Sequence, residues 1–470
     1  MSSFIYGFDK AVNSYTLTVN KANPLLVHVT ANLLEVGDTL YINPNCPSYD
    51  FPEGWASFIK NLKVSTSSAE IPIQYTRESK WVLGPRHPAK FIQITYTVDL
   101  SFAKIKWDTG NEQAGFTDGD AVYLVTKSLF IYPGIDQPTN VTFNLPASWN
   151  LAVPWEQTEN ATMYYVPNQE MLINNSLVFG DFHLSQVKSG LFNFMVALLG
   201  DAKNERELFC STLQTIAQNY LGIFDKTPST QYLITMFYAD SDDGEVFHTS
   251  FGVTFKEKLT QHNKIIWANQ TAHELFHYWN SKLILAESYS DKQWLSEGTA
   301  EYYANMTLLR ENIVDEQLFI SKIEKILALY QNYRGRRETE TSILEAGKSK
   351  SWHRFLVYNG GWAIAMALDV IIMENTQGQK TLDDFFRLML DRYCTNPYTY
   401  QDVVNTASKV AGKDLTEFFL KYVEGTDLLP INEYLDKLGY TMIGTIYKAE
   451  IYLQKKPVEQ PSLYSRWLRR

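Results

Sequence analysis

The sequence has little cysteine. Its three cysteines, Cys46, Cys210 and Cys394, lie far apart, and none stands in CxxC or other metal-ligand spacing. An odd, dispersed set makes a disulfide framework an unlikely source of stability. Positive charge is short as well: 42 Lys and Arg face 52 Asp and Glu, for a net charge of -10. A nucleic-acid or anionic-membrane binder carries a basic face, so neither class is expected. The single basic cluster, RWLRR at 466–470, is too short for that role and reads as a solvated tail. No run approaches 18 apolar residues without a charge, so no membrane span is expected. The opening MSSFIYGFDKAVNSY lacks a basic segment followed by an apolar run. No signal peptide is therefore expected, and a cytoplasmic location is favoured over export. There is no internal repeat and no low-complexity linker.

Apolar residues are plentiful. They make up 45% of 470 residues, enough for packed cores in two to four domains. The 29 Tyr and 26 Phe suit a β-rich segment or a cleft lined with rings. From 1 to about 180, SYTLTVN, LLVHVTANL, FIQITYTVDL, AVYLVTKSLFIY and NVTFNLP alternate or run with β-branched and aromatic residues between turn formers. This predicts a sandwich or a large twisted sheet. Between 181 and 260 the pattern is mixed: RELFCSTLQTIAQNYLGIF is helical in period, and QYLITMFYA is a strand.

From about 265 the chain turns helical. WANQTAHELFHYWNSKLIL reads as one helix and WLSEGTAEYYANMTLLRE as the next. NGGWAIAMALDVIIMENTQG is a long apolar helix. TLDDFFRLMLDRY opens with Thr381 and Asp384 in capping-box spacing. Shorter helices follow near 400–411 and 414–424, with INEYLDKLGY after them. The expected class is α+β: a sandwich-like N-terminal domain over 1–180, a mixed catalytic domain over 181–310, a helical domain over 311–442, and a short tail over 443–470.

The chemistry lies in TAHELFHYWN. His273 and His277 are four residues apart, so on a helix they stack on one face and can converge on one zinc ion. Glu274 projects beside that point, where a carboxylate can take a proton from water acidified by the metal. Two histidines need a third protein ligand and an open position. Glu297 answers that need in the first turn of the next helix, after the loop AESYSDKQ. Glu301, one turn on, can accept the second N–H of a histidine ligand. The bland alternative is a helix that carries two histidines for packing.

HELFHYWN followed by WLSEGTAEYY resembles the gluzincin metallopeptidases, and most closely the bacterial glycyl aminopeptidase family. That family shows HExxH, then Trp-Asn, then Trp-x-x-Glu-Gly, matched here by His273, Glu274, His277, Trp279, Asn280, Trp294 and Glu297. The 19 residues from Tyr278 to Ser296 exceed the spacing of the broader aminopeptidase clan by one. The resemblance implies a thermolysin-like catalytic domain, a Zn2+ cofactor with His273, His277 and Glu297 as ligands, and Glu301 and Asn280 as residues supporting them. It also implies an oxyanion tyrosine before a long apolar helix, matched at Tyr358, with Gly360 where the family usually has Lys. The family usually continues into a PDZ domain, for which the 28 residues after Met442 are too few.

One loop departs from the pattern. Where an aminopeptidase places a glutamate on the substrate's free amine, DGEVFHTSFG has Phe247 before His248. Glu245 is then the candidate substitute, with Phe247 and His248 as candidate cleft walls beside an added peptide strand. The stretch DSDDGE also reads as an acid-rich solvated turn. The expected function is a zinc metallopeptidase acting on a peptide or protein substrate, an aminopeptidase for small N-terminal residues before an endopeptidase. A non-catalytic binding protein with a structural zinc site is the remaining class. Residue preference, natural substrate and oligomeric state are not legible.

Overall fold

From residue 13 the side chains alternate, and the backbone follows them. Asn13–Asn20 buries Tyr15, Leu17 and Val19 on one face, and Phe91–Asp99 buries Ile92, Ile94, Tyr96 and Val98. A period of two leaves one apolar face, which is stable only against a second layer. The computed structural model describes residues 12–46, 51–85, 91–100, 115–190, 192–224, 231–336, 340–445, 450–457 and 463–468.

Eight strands form the first layer, in the order Glu156–Gln157, Met163–Val166, Thr139–Asn144, Asn13–Asn20, Asn23–Leu34, Phe91–Asp99, Ile59–Ser65 and Glu70–Ile71. Asn13–Asn20 runs parallel to Thr139–Asn144, with Tyr15 opposite Val141, and antiparallel to Asn23–Leu34, with Tyr15 opposite Ala31. The second layer has four strands, ordered Asn150–Ala152, Ser176–Gly180, Ala121–Val125 and Phe116–Asp118. Leu17 and Ile94 from the first layer share one core with Val122, Leu124 and Val178 from the second. The β-rich first part is sandwich-like, as its alternation predicts.

A five-stranded sheet follows in the order His183–Ser189, Phe192–Leu198, Gln231–Tyr238, Ser250–Phe255 and Asp243–Val246. Its three middle strands run parallel, and Asp243–Val246 closes the edge antiparallel, with Glu245 opposite Gly252. The segment DSDDGE is thus in part an edge strand rather than a turn. The pairing partner decides this, and acidic residues suit an edge that must not recruit another strand.

The chain divides into two compact units. One is Met1–Arg206 with Ser229–Lys258, and the other is Glu207–Pro228 with Leu259–Arg470. The expected boundaries near 180 and 310 do not coincide with this division. In the first unit Asn175 accepts hydrogen bonds from the Thr249 backbone and the Ser250 hydroxyl, which ties the sandwich to the five-stranded sheet.

The second unit is built on helices. Arg206–Ile223, Lys264–His277, Tyr289–Arg310, Glu316–Arg336, Gly361–Asn375, Leu382–Tyr393 and Tyr400–Ala411 are long helices, the first of them the one expected from RELFCSTLQTIAQNYLGIF. Leu382–Tyr393 starts with the expected Thr381 and Asp384 capping box, and Tyr400–Ala411 starts with another from Thr399 and Asp402. Instead of one long α-helix through Leu285, the HExxH segment is α-helical to His277 and continues as a π-helix over Tyr278–Leu283. Phe355–Asn375 is long and apolar enough to cross a membrane, but most of it is buried inside the protein. It is a core helix here.

The C-terminal stretch differs most from expectation. Tyr440–Thr445 pairs with Glu450–Lys455, and Leu463–Leu468 forms a helix. Trp467 is fully buried, and its indole N–H donates to the Tyr302 hydroxyl at 2.8 Å. Trp467 and Leu468 of RWLRR are therefore packed rather than solvated, while Arg466 is exposed and the last two residues of the cluster lie outside the described residues.

Candidate active site

The HExxH helix, Lys264–His277, and the glutamate helix, Tyr289–Arg310, pack against each other through a ladder of polar pairs. Asn305 donates to Asn269 at 2.7 Å, His273 meets Glu301 at 3.4 Å and Glu297 at 3.2 Å, and Asn280 donates to the Ser296 carbonyl at 2.8 Å. Numbers rise along one helix as they fall along the other, so the two are antiparallel, as the short connection predicts. That connection is pinned: Tyr398 donates its backbone N–H to the Leu285 carbonyl, and Ser288 caps the glutamate helix through Asp291. Beneath the HExxH helix, Trp279 is fully buried and stacks on Phe224 at 5.1 Å, while Phe276 stacks on Tyr303 at 4.5 Å.

Three side-chain atoms converge. Nε2 of His273 lies 3.0 Å from Nε2 of His277 and 3.2 Å from Oε2 of Glu297, which is 3.3 Å from Nε2 of His277. All three residues are buried. Zinc–ligand bonds of about 2.0–2.2 Å at tetrahedral angles put donor atoms about 3.3–3.6 Å apart. The observed triangle is close to one face of that tetrahedron.

The outer nitrogens explain why this triangle asks for a cation. Nδ1 of His273 faces Oε2 of Glu301 at 3.4 Å, and Nδ1 of His277 donates to Oδ1 of Asn280 at 3.1 Å. Each partner accepts, so each histidine carries its proton on Nδ1 and turns a lone pair inward at Nε2. Two lone pairs and a carboxylate oxygen then meet with no proton between them. Without a metal a proton fills the gap. Burial works against charging His273, but hydrogen bonds to Glu297 and Glu301 and the charge of Glu274 push it up to about 10. His277 is held below its ordinary value, chiefly by burial.

Two lysines that sequence reasoning missed complete the support. Nζ of Lys350 donates to Oε1 of Glu297 at 2.7 Å, leaving Oε2 for the triangle. Lys322 pairs with Oε1 of Glu301 at 3.1 Å, and Asn269 and Asn305 also donate to that carboxylate. Burial raises both carboxyls, yet His277 and Lys350 hold Glu297, and Lys322 and His273 hold Glu301, well below the usual range. Asn269 and Asn305 head Asn-x-Ser/Thr triplets, but both are buried in this network.

Tyr358 comes to the same place from a distant segment. It sits in a π-helix, Phe355–Gly360, just ahead of the apolar helix. Its ring is near-parallel to the His273 ring, with centroids 6.0 Å apart. Burial raises the phenol well above its ordinary value, and the charge of Glu297 adds to that against the pull of Lys350 and Arg354. It stays protonated and able to donate.

Comparison with known proteins agrees with this geometry. Residues 14–181 match the family model described as the peptidase M61 N-terminal domain, and residues 267–358 match that of the M61 glycyl aminopeptidase. The chain belongs to the M61 peptidase family. Among solved structures, an aminopeptidase N family protein from Idiomarina loihiensis superposes with a TM-score of 0.78 at 18% identity, covering 92% of this chain and 79% of that one. That likeness concerns the fold. No curated protein matches the sequence.

As an M61 peptidase, the chain holds its HExxH motif, Glu297 and Tyr358 all within the second matched segment. The remaining candidates lie in the first unit. Glu245 is a partly buried edge-strand residue, and His248 donates its backbone N–H to the Asn174 carbonyl. Phe247 is fully buried in that unit's hydrophobic core. It is a packing residue, not a cleft wall, because its ring has no surface left for a substrate.

Proposed function

We propose that this peptidase is a zinc-dependent gluzincin that cleaves peptide bonds with water. The observation that carries the reading is the convergence of Nε2 of His273, Nε2 of His277 and Oε2 of Glu297 on a single point, with an acceptor behind each imidazole. A zinc ion held there by His273, His277 and Glu297 supplies a Lewis acid for water and for the scissile carbonyl. Three protein ligands, rather than four, are the number of a catalytic site. Glu274 adjoins them on the HExxH helix and is buried. It accepts the proton of the attacking water and returns it to the leaving amine. Tyr358 donates a hydrogen bond to the carbonyl oxygen as negative charge gathers there. Glu301 and Asn280 hold the two histidines in the ligating tautomer, and Lys350 orients Glu297.

Glu274→Gln tests the core of this. The variant should bind one zinc per chain, measured by elemental analysis, and should lose peptide hydrolysis almost entirely. Normal activity in that variant sinks the general-base assignment. Loss of zinc would mean that Glu274 acts on the metal instead.

The family resemblance favours an aminopeptidase, and a buried Phe247 at the position of the amine-binding glutamate favours an endopeptidase. Matched peptides with free and acetylated N-termini decide between them. An aminopeptidase cleaves only the free series.

A further inference from the structure

The carboxylates of the site are committed. Glu297 faces the triangle with one oxygen and Lys350 with the other, Glu301 holds His273 and Lys322, and Glu274 is the base of the proposed reaction. Two of the cations, Arg354 and Lys292, are not committed in the same way. Arg354 is exposed and lies over the Tyr358 ring, with its guanidinium carbon 5.1 Å from the ring centre. Lys350 lies over the same ring at 5.9 Å. Lys292, one turn before Ser296 and Glu297, is partly buried and rests over the Tyr289 ring at 5.5 Å. Among the described residues no carboxylate forms an ion pair with Arg354 or Lys292.

This arrangement has a sign. An ammonium brought to the ring of Tyr358 would meet Lys350 and Arg354, and a bound zinc ion would add two further positive charges. A carboxylate brought there would meet an exposed guanidinium whose planar fork matches it in a bidentate fashion. The ring beneath keeps that guanidinium in place without neutralising it. Tyr358 is also the proposed hydrogen-bond donor to the reacting carbonyl, so a group held by Arg354 sits close to the scissile bond.

We propose that the site selects peptides that carry a carboxylate next to the scissile bond, with Arg354 as the specificity-determining residue that receives it. The inference rests on the peptidase reading above and adds the substrate class. A side-chain carboxylate and the terminal carboxylate of a short peptide offer Arg354 the same chemistry, so the test separates them.

The experiment uses the zinc-loaded full chain and peptides that differ only in Asp against Asn, or Glu against Gln, on either side of one bond. Each peptide is made with a C-terminal acid and with a C-terminal amide. Wild-type kcat/KM should favour the acidic member by about tenfold or more, the scale of one charge-assisted bidentate contact. In Arg354→Gln that ratio should fall to within about twofold, and in Arg354→Lys part of it should return, since the charge remains without the fork. The preference should reside mainly in KM and weaken with added salt. The same ratio should appear in binding alone, read by calorimetry with the Glu274→Gln protein. A preference that follows the C-terminal acid assigns Arg354 to the chain terminus, and one that follows Asp and Glu assigns it to side chains. Equal cleavage of acidic and neutral peptides, or an unchanged ratio in Arg354→Gln, overturns the charge selection and leaves the peptidase reading standing. If no peptide of either series is cleaved by the zinc-loaded chain, the peptidase reading falls, and this inference falls with it.

Discussion

Gly298 and Gly361 touch backbone to backbone. A Cβ on Gly298 would lie 2.3 Å from the Gly361 carbonyl carbon, and one on Gly361 would lie 2.4 Å from the Trp294 carbonyl oxygen. The contact lets the glutamate helix meet the π-turn before the apolar helix at a distance that side chains would forbid. Glu297 immediately precedes one glycine and Tyr358 stands three residues before the other, so the contact sets the spacing between the proposed metal ligand and the proposed oxyanion donor. Gly361→Ala should therefore lower stability by about 1–3 kcal/mol, as overpacking of a tight contact does. It should also lower kcat more than it raises KM. Urea unfolding beside steady-state kinetics checks both, and a variant with wild-type values in each would show that the contact has slack.

What was legible in the sequence follows from how local each feature is. His273, Glu274 and His277 share one helix, and Glu297 follows a short loop, so spacing alone brings them together. Tyr358 needed the family resemblance. Lys350 was invisible, because an ion-pair partner 53 residues from Glu297 leaves no periodic trace. The π-turns at Tyr278–Leu283 and Phe355–Gly360 left none either, since their composition is that of any helix. Trp467 and Asp243–Val246 were misread for a related reason: what fixes them is a distant partner, Tyr302 for the ring and Ser250–Phe255 for the strand.

Lys350 gives a test of the proposed metal ligation by Glu297. Its ammonium occupies Oε1 of Glu297, so that carboxylate offers the triangle one oxygen in a fixed direction. Lys350→Met leaves a buried carboxylate without that partner. Zinc affinity should fall by about 10–100-fold, the usual cost of losing a supporting residue behind a ligand. Lys350→Arg, which keeps the charge, should recover much of it. Competition against a chelator of known affinity measures both. Unchanged affinity in Lys350→Met would make the lysine a bystander.

The proton on His273 gives a pH dependence with a definite sign. In the metal-free protein its pKa is pushed up to about 10 from an ordinary 6.5, with carboxylate partners overcoming burial. A raised folded-state value means that this proton stabilises the metal-free fold fully below pH 6.5, and that its contribution is lost as pH rises toward 10. Burial holds Lys292 down to about 8, which moves stability the opposite way over part of that range. The comparison of metal-free with zinc-loaded protein largely cancels Lys292 and keeps His273, because zinc takes the place of that proton. Apparent zinc affinity should then rise about tenfold per pH unit over roughly pH 6.5 to 9, with one proton released per ion. Chelator competition at several pH values reads the slope, and a flat profile would rule the proton out.

Tyr358→Phe isolates the proposed hydrogen bond to the reacting carbonyl. The phenyl ring can keep its near-parallel place beside His273 and beneath Lys350 and Arg354 while the donor is gone. A donor that acts on charge developed only in the transition state should cost kcat and spare KM. The expected loss in kcat is about 10²–10³-fold, the scale of one oxyanion donor, with zinc content unchanged. The phenol is held well above its ordinary value by burial and by the charge of Glu297, so it remains a donor across neutral pH. The Phe variant should therefore lose rate evenly over that range and keep the wild-type shape of its pH profile. A loss confined to KM would place the hydroxyl on the bound substrate, and a change of profile would make Tyr358 a proton carrier instead of an oxyanion donor.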